Sequence, residues 1–220
     1  MTEVPASLAE DRESALQLTP VSRETLARLD RFVELFLAQQ ERMNLIAPST
    51  IPTLWTRHIA DSLQLLSLMD HARTWVDLGS GGGFPGLVIA CAMADRPNAV
   101  VHLVESTKKK AGFLAEAARH IGAPAIVHPV RIEDFVKNFD GRADAVTARA
   151  LAPLDQLLGL AQPLLKKGAQ GLFHKGQDVD AELTEASKYW KFEPKLVPSK
   201  TNPQGRIVVI EGLTRRGSTR

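Results

Sequence analysis

The sequence predicts an α/β protein: a mostly parallel, seven-stranded, Rossmann-like sheet with helices on both faces, plus an N-terminal helical extension. Two observations predict it. From residue 74 onward five short apolar runs alternate with helical stretches and two extended pieces follow, the pattern that builds a parallel sheet with an antiparallel edge. Before residue 70 no strand-like run occurs, and apolar residues recur at three- and four-residue intervals. A length of 220 residues suits one domain with a modest extension.

Residues 1–20 are polar and acidic and are expected to fray. A helix starts after Ser22, a good N-cap with Glu24 behind it, and Leu26, Leu29, Phe32, Val33, Phe36 and Leu37 mark its apolar face. A second helix is expected over Thr50 to Ser67, with Pro52 tolerable only near its start. Strands are predicted at Thr74–Leu78, Ala99–Val104, Ala125–His128, Ala143–Ala148 and Gly171–His174, and then at Phe192–Val197 and Ile207–Ile210. Helices are predicted at Pro85–Met93, Thr107–His120, Leu154–Leu165 and Val179–Tyr189. This divides the chain into a helical extension (1–70), a sheet domain (71–213) and a flexible tail (214–220).

The composition narrows the chemistry. With 27 Lys and Arg against 25 Asp and Glu, the net charge of +2 does not by itself point to nucleic acid. Cys91 is the single cysteine, which excludes an internal disulfide and any multi-cysteine metal site. The longest apolar run, Leu87 to Ala94, is far short of the about 20 residues a membrane span needs. The acidic N-terminus does not resemble a signal peptide. A cytoplasmic protein without metal is therefore expected.

The informative segment is Asp77-Leu78-Gly79-Ser80-Gly81-Gly82-Gly83-Phe84-Pro85-Gly86, between a strand and a helix. Parallel sheets bind nucleotide-like ligands at this place, and glycine lets a ligand approach the backbone closely. Two patterns overlap. Gly81, Gly83 and Gly86 match the dinucleotide string G-x-G-x-x-G. Asp77, Gly79, Gly81 and Gly83 match an acid-x-G-x-G-x-G string that looks like motif I of S-adenosylmethionine-dependent methyltransferases. Register favours the second, because a dinucleotide loop starting at Gly79 would place its third glycine at Phe84. A carboxylate at Asp77 also suits an α-ammonium group and not a pyrophosphate. Glu105, ending the second strand, is placed to accept ribose hydroxyls in either class.

With that loop in place, the chain resembles the bacterial 16S rRNA guanine-N7 methyltransferase family (ribosomal RNA small subunit methyltransferase G, or glucose-inhibited division protein B). The resemblance runs from Asn44 to Ile210. Its strings are Arg57-His58-Ile59-Ala60-Asp61-Ser62, the glycine loop with its Phe84-Pro85-Gly86 ending, Val130-Arg131-Ile132-Glu133-Asp134-Phe135, Ala148-Arg149-Ala150 and Lys175-Gly176. It implies a class I S-adenosylmethionine-dependent fold and a substrate in small-subunit ribosomal RNA. It also implies that Gly79 and Phe84 touch the cofactor, that Ile132 and Glu133 flank the adenine, and that Arg149 binds the cofactor. Arg149 and His58 are candidates for the border of the guanine site.

Attack by guanine N7 needs no general base, because that nitrogen carries a lone pair and no proton. No acid–base constellation is therefore expected. Cytosine carbon methylation would need a reactive cysteine, and Cys91 falls in an apolar helix. Residues 166–220 hold eleven cations and six acids, whereas residues 1–40 hold four and seven, so the C-terminal quarter is the expected RNA contact. A monomer with neither DNA nor membrane as partner is expected. A small-molecule or protein methyltransferase and a non-catalytic adenosine-binding module remain the alternatives.

Overall fold

In the computed structural model, which describes residues 6–217, the chain opens with two helices, α1 (Ala6–Leu18) and α2 (Arg23–Met43). The Ser22 hydroxyl accepts the Thr25 N–H at 3.1 Å, and Asn44 ends α2 in the left-handed region with φ 46°. The helix α1 replaces the fraying expected there, although residues 1–5 lie outside the described residues. Its apolar residues are not gathered on one face, so periodicity does not reveal it. It is held by burial of Leu8 and Ala15 and by Asp11, whose carboxylate accepts the Trp55 N–H at 2.7 Å and the Thr56 N–H at 3.2 Å.

The expected helix over 50–67 is a compound of short turns. A 3-10 turn (Pro48–Thr53) leads into a π turn (Trp55–Ala60), then α3 (Asp61–Leu63) and a second 3-10 turn (Gln64–Leu68). Pro52 has no N–H to give an α-helix, and the wide π turn is a rare form frequent at functional sites. Asp11→Ala leaves the Trp55 and Thr56 N–H groups without their carboxylate. We expect a loss of about 1–2 kcal/mol, as for a deleted helix cap, read as a fall of roughly 2–8 °C in a thermal melt, with Asp11→Asn largely restoring stability.

Apart from a helix at Ile132–Asn138 and short strands at Trp190–Lys191 and Thr214–Arg215, the remaining elements alternate as predicted. They are β1 (Thr74–Leu78), α4 (Gly86–Met93), β2 (Val100–Val104), α5 (Lys108–Ile121), β3 (Ala125–His128), α6 (Ile132–Asn138), β4 (Ala145–Arg149), α7 (Leu154–Lys166), β5 (Gln170–Lys175) and α8 (Val179–Tyr189). A short strand β6 (Trp190–Lys191), β7 (Pro194–Pro198), β8 (Arg206–Ile210) and β9 (Thr214–Arg215) follow. The seven-stranded sheet has the order β3-β2-β1-β4-β5-β8-β7. The first five strands are parallel, and β8 runs antiparallel to both β5 and β7.

Two differences from the sequence reading stand out. The helix α6 was not expected, although Ile132, Phe135, Val136 and Phe139 have helical spacing. The tail expected to be flexible from residue 214 is held at its start, where β9 pairs with β6 and Leu213 is buried. Residues 218–220 lie outside the described residues.

The N-terminal helices share a core with one face of the sheet. Phe32 and Phe36 of α2 pack on Phe84 with ring centroids 5.4 and 5.1 Å apart, and Phe36 also reaches Phe113 of α5. The opposite face packs on α6, α7 and α8. Strand order reverses between β1 and β4, so the loops after these strands diverge and open a crevice at the carboxyl edge, where such sheets bind ligands.

Candidate active site

The glycine loop leaves β1 in a tight reversal. Gly79 and Ser80 both donate to the Val104 carbonyl, at 2.9 and 3.0 Å, and Gly83 donates to Ser80 at 2.7 Å. Gly79, Gly81 and Gly83 have φ of 72°, 53° and 98°, values that L side chains rarely adopt. A Cβ on Gly81 would meet only the Gly79 carbonyl, at 3.7 Å, so the backbone there is open to the crevice. The Gly81 N–H donates to Glu105 Oε2 at 3.0 Å, and the Thr107 N–H donates to Oε1 at 2.7 Å. Glu105 thereby ties the loop to the end of β2, and each oxygen keeps a second acceptor site for a ribose hydroxyl.

Asp77 does not stand where the α-ammonium reading put it. Its side chain is 1% exposed and lies beneath the loop, outside the lining of the crevice. Oδ1 accepts the Thr147 hydroxyl at 2.7 Å and Oδ2 the Gly86 N–H at 3.2 Å. Burial pushes its carboxyl up from the usual range, opposed by hydrogen bonds with Thr147, Ser80 and Gly86 and by the charge of Arg149. Strand pleating sends this side chain toward α4, so it braces the loop from below.

The other expected residues come together. Gly79, Gly81, Phe84, Glu105, Ile132, Glu133, Arg149 and His58 all line one cavity of about 1480 Å³. Ile132 and Glu133 form the first turn of α6, beside the end of β2. Phe84 lies with one side against Phe32 and Phe36, while His58 packs on it at 5.0 Å and the Arg149 guanidinium at 5.4 Å.

Arg149 ends β4, next to β1, and organises the part of the cavity wall that packs on Phe84 of the glycine loop. It donates to His58 Nδ1 at 2.6 Å and to the Arg57 carbonyl at 3.1 Å, and it lies 3.7 Å from Asp61. His58 Nδ1 is therefore an acceptor, and its proton sits on Nε2, which meets Thr50 Oγ1 at 3.0 Å. Burial, then Arg149 and Arg57, push His58 down to about 3, so it is neutral at working pH. Burial also pushes the Arg149 guanidinium down, while Asp61 and Asp77 oppose this.

Sequence reasoning missed how much converges on Asp61. Its Oδ1 accepts Gln64 at 2.7 Å, Thr201 at 2.8 Å and Ser199 at 3.3 Å, which pins the β7–β8 turn over the cavity. His174, opposite Arg149 in the β4–β5 register, donates from Nε2 to the Asp61 carbonyl at 2.8 Å. Its Nδ1 has no partner among the described residues. The signal for it was the string His174-Lys175-Gly176, of which only the last two residues were singled out. Lys175 itself is structural: it donates to Glu182 and to the Ala152 carbonyl, both at 2.7 Å.

The basic C-terminal quarter does not form one face. Strand direction puts Lys175, Lys200 and Arg206 at the carboxyl edge, and Lys166, Lys167, Lys191, Lys195 and Arg215 at the opposite edge. A charge count by segment ignores that successive strands return the chain to alternate edges. Cys91 is buried in α4 with its thiol pushed up to about 12 by burial, which makes it inert.

An adenosine-bearing sulfonium fits this cavity: open backbone at Gly81, an acid at the end of β2, and an aliphatic residue with an acid at the start of α6. The fold itself is shared with solved methyltransferases. An O-methyltransferase from Bacillus cereus in complex with SAH has a TM-score of 0.61 at 12% identity, over 91% of this chain and 96% of that one. TomG from Streptomyces achromogenes, in complex with SAM, has 0.60 at 14%, over 96% of this chain and 100% of that one. No helix of the described residues is long and apolar enough to cross a membrane.

Sequence relatives are far closer. The protein of Bradyrhizobium sp. (strain ORS 278) called ribosomal RNA small subunit methyltransferase G is 64% identical over 95% of this chain and 94% of its own length. The protein of the same name from Nitrobacter hamburgensis is 60% identical over 94% of this chain and 80% of its own. The family profile described as rRNA small subunit methyltransferase G matches residues 25–208. With its glycine loop, its Arg149–His58 wall and this extent of identity, the chain belongs to the rRNA small subunit methyltransferase G family.

Proposed function

We propose that this chain transfers a methyl group from S-adenosylmethionine to N7 of a guanine in small-subunit ribosomal RNA. The observation that carries the reading is the meeting of two groups in the lining of one cavity: the glycine loop tied to Glu105, and the Arg149–His58 wall packed beside it on Phe84. Bound S-adenosylmethionine supplies a sulfonium whose methyl group is already activated for in-line displacement.

The residues then have only to bind and align. Glu105 holds the ribose, the loop backbone approaches the amino-acid end, and Ile132 and Glu133 border the adenine. Asp77 acts indirectly, by fixing the loop through Gly86 and Thr147. Arg149 keeps N–H donors beyond those given to His58 and Arg57, and these suit a purine carbonyl oxygen next to the attacking nitrogen. Neutral His58 fixes the guanidinium plane and removes no proton, which suits a nucleophile that has none to give. Residues 71–213 carry the cofactor, residues 1–70 complete the target-base wall, and one copy suffices because both walls come from one chain.

The test is methyl transfer from labelled S-adenosylmethionine to small ribosomal subunits and to naked rRNA from a strain lacking the enzyme, with nucleoside analysis. The expected product is 7-methylguanosine. Label in protein or small molecules alone, or binding of S-adenosylmethionine with no transfer, would refute the reading.

A further inference from the structure

Resting on that reading, we infer that the RNA backbone is held at the cavity rim by two groups of cations on opposite sides: Lys108, Lys109 and Arg131 on one, and Arg57, Lys200 and Arg206 on the other. The basic C-terminal quarter as a whole is not the contact.

Topology places both groups. Lys108 and Lys109 follow the carboxyl end of β2 just ahead of Lys110, which lines the cavity, and Arg131, itself in the lining, follows the end of β3. Lys200 lies in the β7–β8 turn and Arg206 opens β8, at the same edge as the end of β5. Arg57 sits on the π turn, its carbonyl bound to Arg149. In the strand order, β2 and β3 lie on one side of the β1–β4 crevice and β5, β8 and β7 on the other. The two groups therefore flank the glycine loop and the Arg149–His58 wall.

Apart from Arg206, these cations have no structural role in the fold among the described residues. Lys108, Lys109, Arg131, Arg57 and Lys200 are exposed, and none of the six is in an ion pair among the described residues. The guanidinium of Arg206 is fixed in place by the Pro203 and Gly205 carbonyls, at 2.9 and 2.7 Å. Lys108 and Lys109 occupy the first turn of α5, which has no acid, so their charge opposes the helix dipole. A stable helix would prefer acids there. Phosphate contact gives this arrangement a use, since charge on both sides of a cavity mouth can hold a strand while one base turns inward. The partner chemistry is an unpaired RNA strand with a splayed-out purine, because only an unstacked base can present N7 inside the cavity.

The test compares two double charge reversals of equal net change. Lys108→Glu/Lys109→Glu alters the rim, and Lys191→Glu/Lys195→Glu alters exposed cations at the opposite edge. The readouts are equilibrium binding of a fluorescein-labelled single-stranded fragment of small-subunit rRNA between 50 and 300 mM salt, and calorimetric binding of S-adenosylmethionine. Glutamate in the first turn of α5 favours that helix, so a loss at the rim does not come from unfolding. For the rim variant we expect RNA affinity to fall about tenfold or more and the log–log salt slope to shrink by about 1.4, at roughly 0.7 for each phosphate contact on a single strand. Cofactor affinity should be unchanged, and the opposite-edge variant should match the wild type. Lys200→Glu should shrink the slope by about half as much. Equal effects from both reversals, or an unchanged slope at the rim, would overturn the inference. Rim variants that behave like the wild type beside methyl transfer to RNA sink the rim alone, whereas a wild type that methylates no RNA sinks the functional reading while the binding arm still decides the rim.

Discussion

Gly86→Ala should eliminate measurable S-adenosylmethionine binding by calorimetry and lower the stability of the protein. The added Cβ would lie 2.4 Å from Leu103 Cδ2, 2.6 Å from Asp77 Oδ2 and 2.7 Å from Asp77 Cβ. None of these can yield cheaply. Leu103 is fully buried in β2, and Asp77 is held by Thr147 from the other side. Overpacking of this kind costs about 1–3 kcal/mol, and the displaced Gly86 N–H leaves a buried carboxylate short of a donor. A drop in melting temperature of roughly 2–12 °C is expected, at about 2–4 °C per kcal/mol for a domain of this size. Gly81→Ala is the contrasting case. Its Cβ has space, but φ is 53°, so the cost is backbone strain of about 1–2 kcal/mol and there is no clash. A Gly86→Ala variant that melts like the wild type would show that crowding beneath the loop is not what Gly86 avoids.

Arg149→Met should lower methyl transfer by about 10²–10³-fold, the range for removing one preorganised charge-directed donor, with the fold retained. The same change should raise the titration of His58. In the wild type burial is the larger cause of the low value near 3, and the Arg149 charge is second. Losing the charge removes the second cause and leaves burial and the Arg57 charge, so the variant's pKa should rise yet stay below the ordinary 6.5. Proton NMR of the His58 ring across pH 3–8 reads this directly. Because the folded value lies below the unfolded one, the unfolded chain takes up the proton first. The contribution of His58 to stability is therefore complete above pH 6.5 and is lost as pH falls toward 3. Transfer by the wild type should show no limb from His58 between pH 6.5 and 9. An imidazole titrating near 6.5 in the folded wild type would contradict the Arg149–His58 hydrogen bond.

The legible part of the site was local. The glycine loop, Glu105 and Arg149 sit where a strand meets a loop, so neighbouring residues announce them. Asp77 was legible as a buried-strand acid, but its target was not. Whether its carboxylate faces a ligand or a neighbouring strand depends on Thr147, seventy residues away. The same distance hid the role of Asp61. Read locally it belongs to a helix-face string with Arg57 and His58, whereas in the fold it binds Ser199 and Thr201 of the β7–β8 turn. The helix α1 escaped notice because its apolar residues are not gathered on one face and its stability comes from what it covers.

The sequence by itself determined the succession of the seven sheet strands along the chain, the four helices α4, α5, α7 and α8 between them, the loop that bends after β1 and the presence of a single cysteine. These follow from periodicity, glycine conformation and composition, which act over a few residues. Only the tertiary structure decided which groups share a cavity, which acid faces it and where the positive charge lies. Those depend on strand order, pleat and direction, which bring residues 57, 77, 105, 149 and 174 together and send the two halves of the basic C-terminal quarter to opposite edges of the sheet.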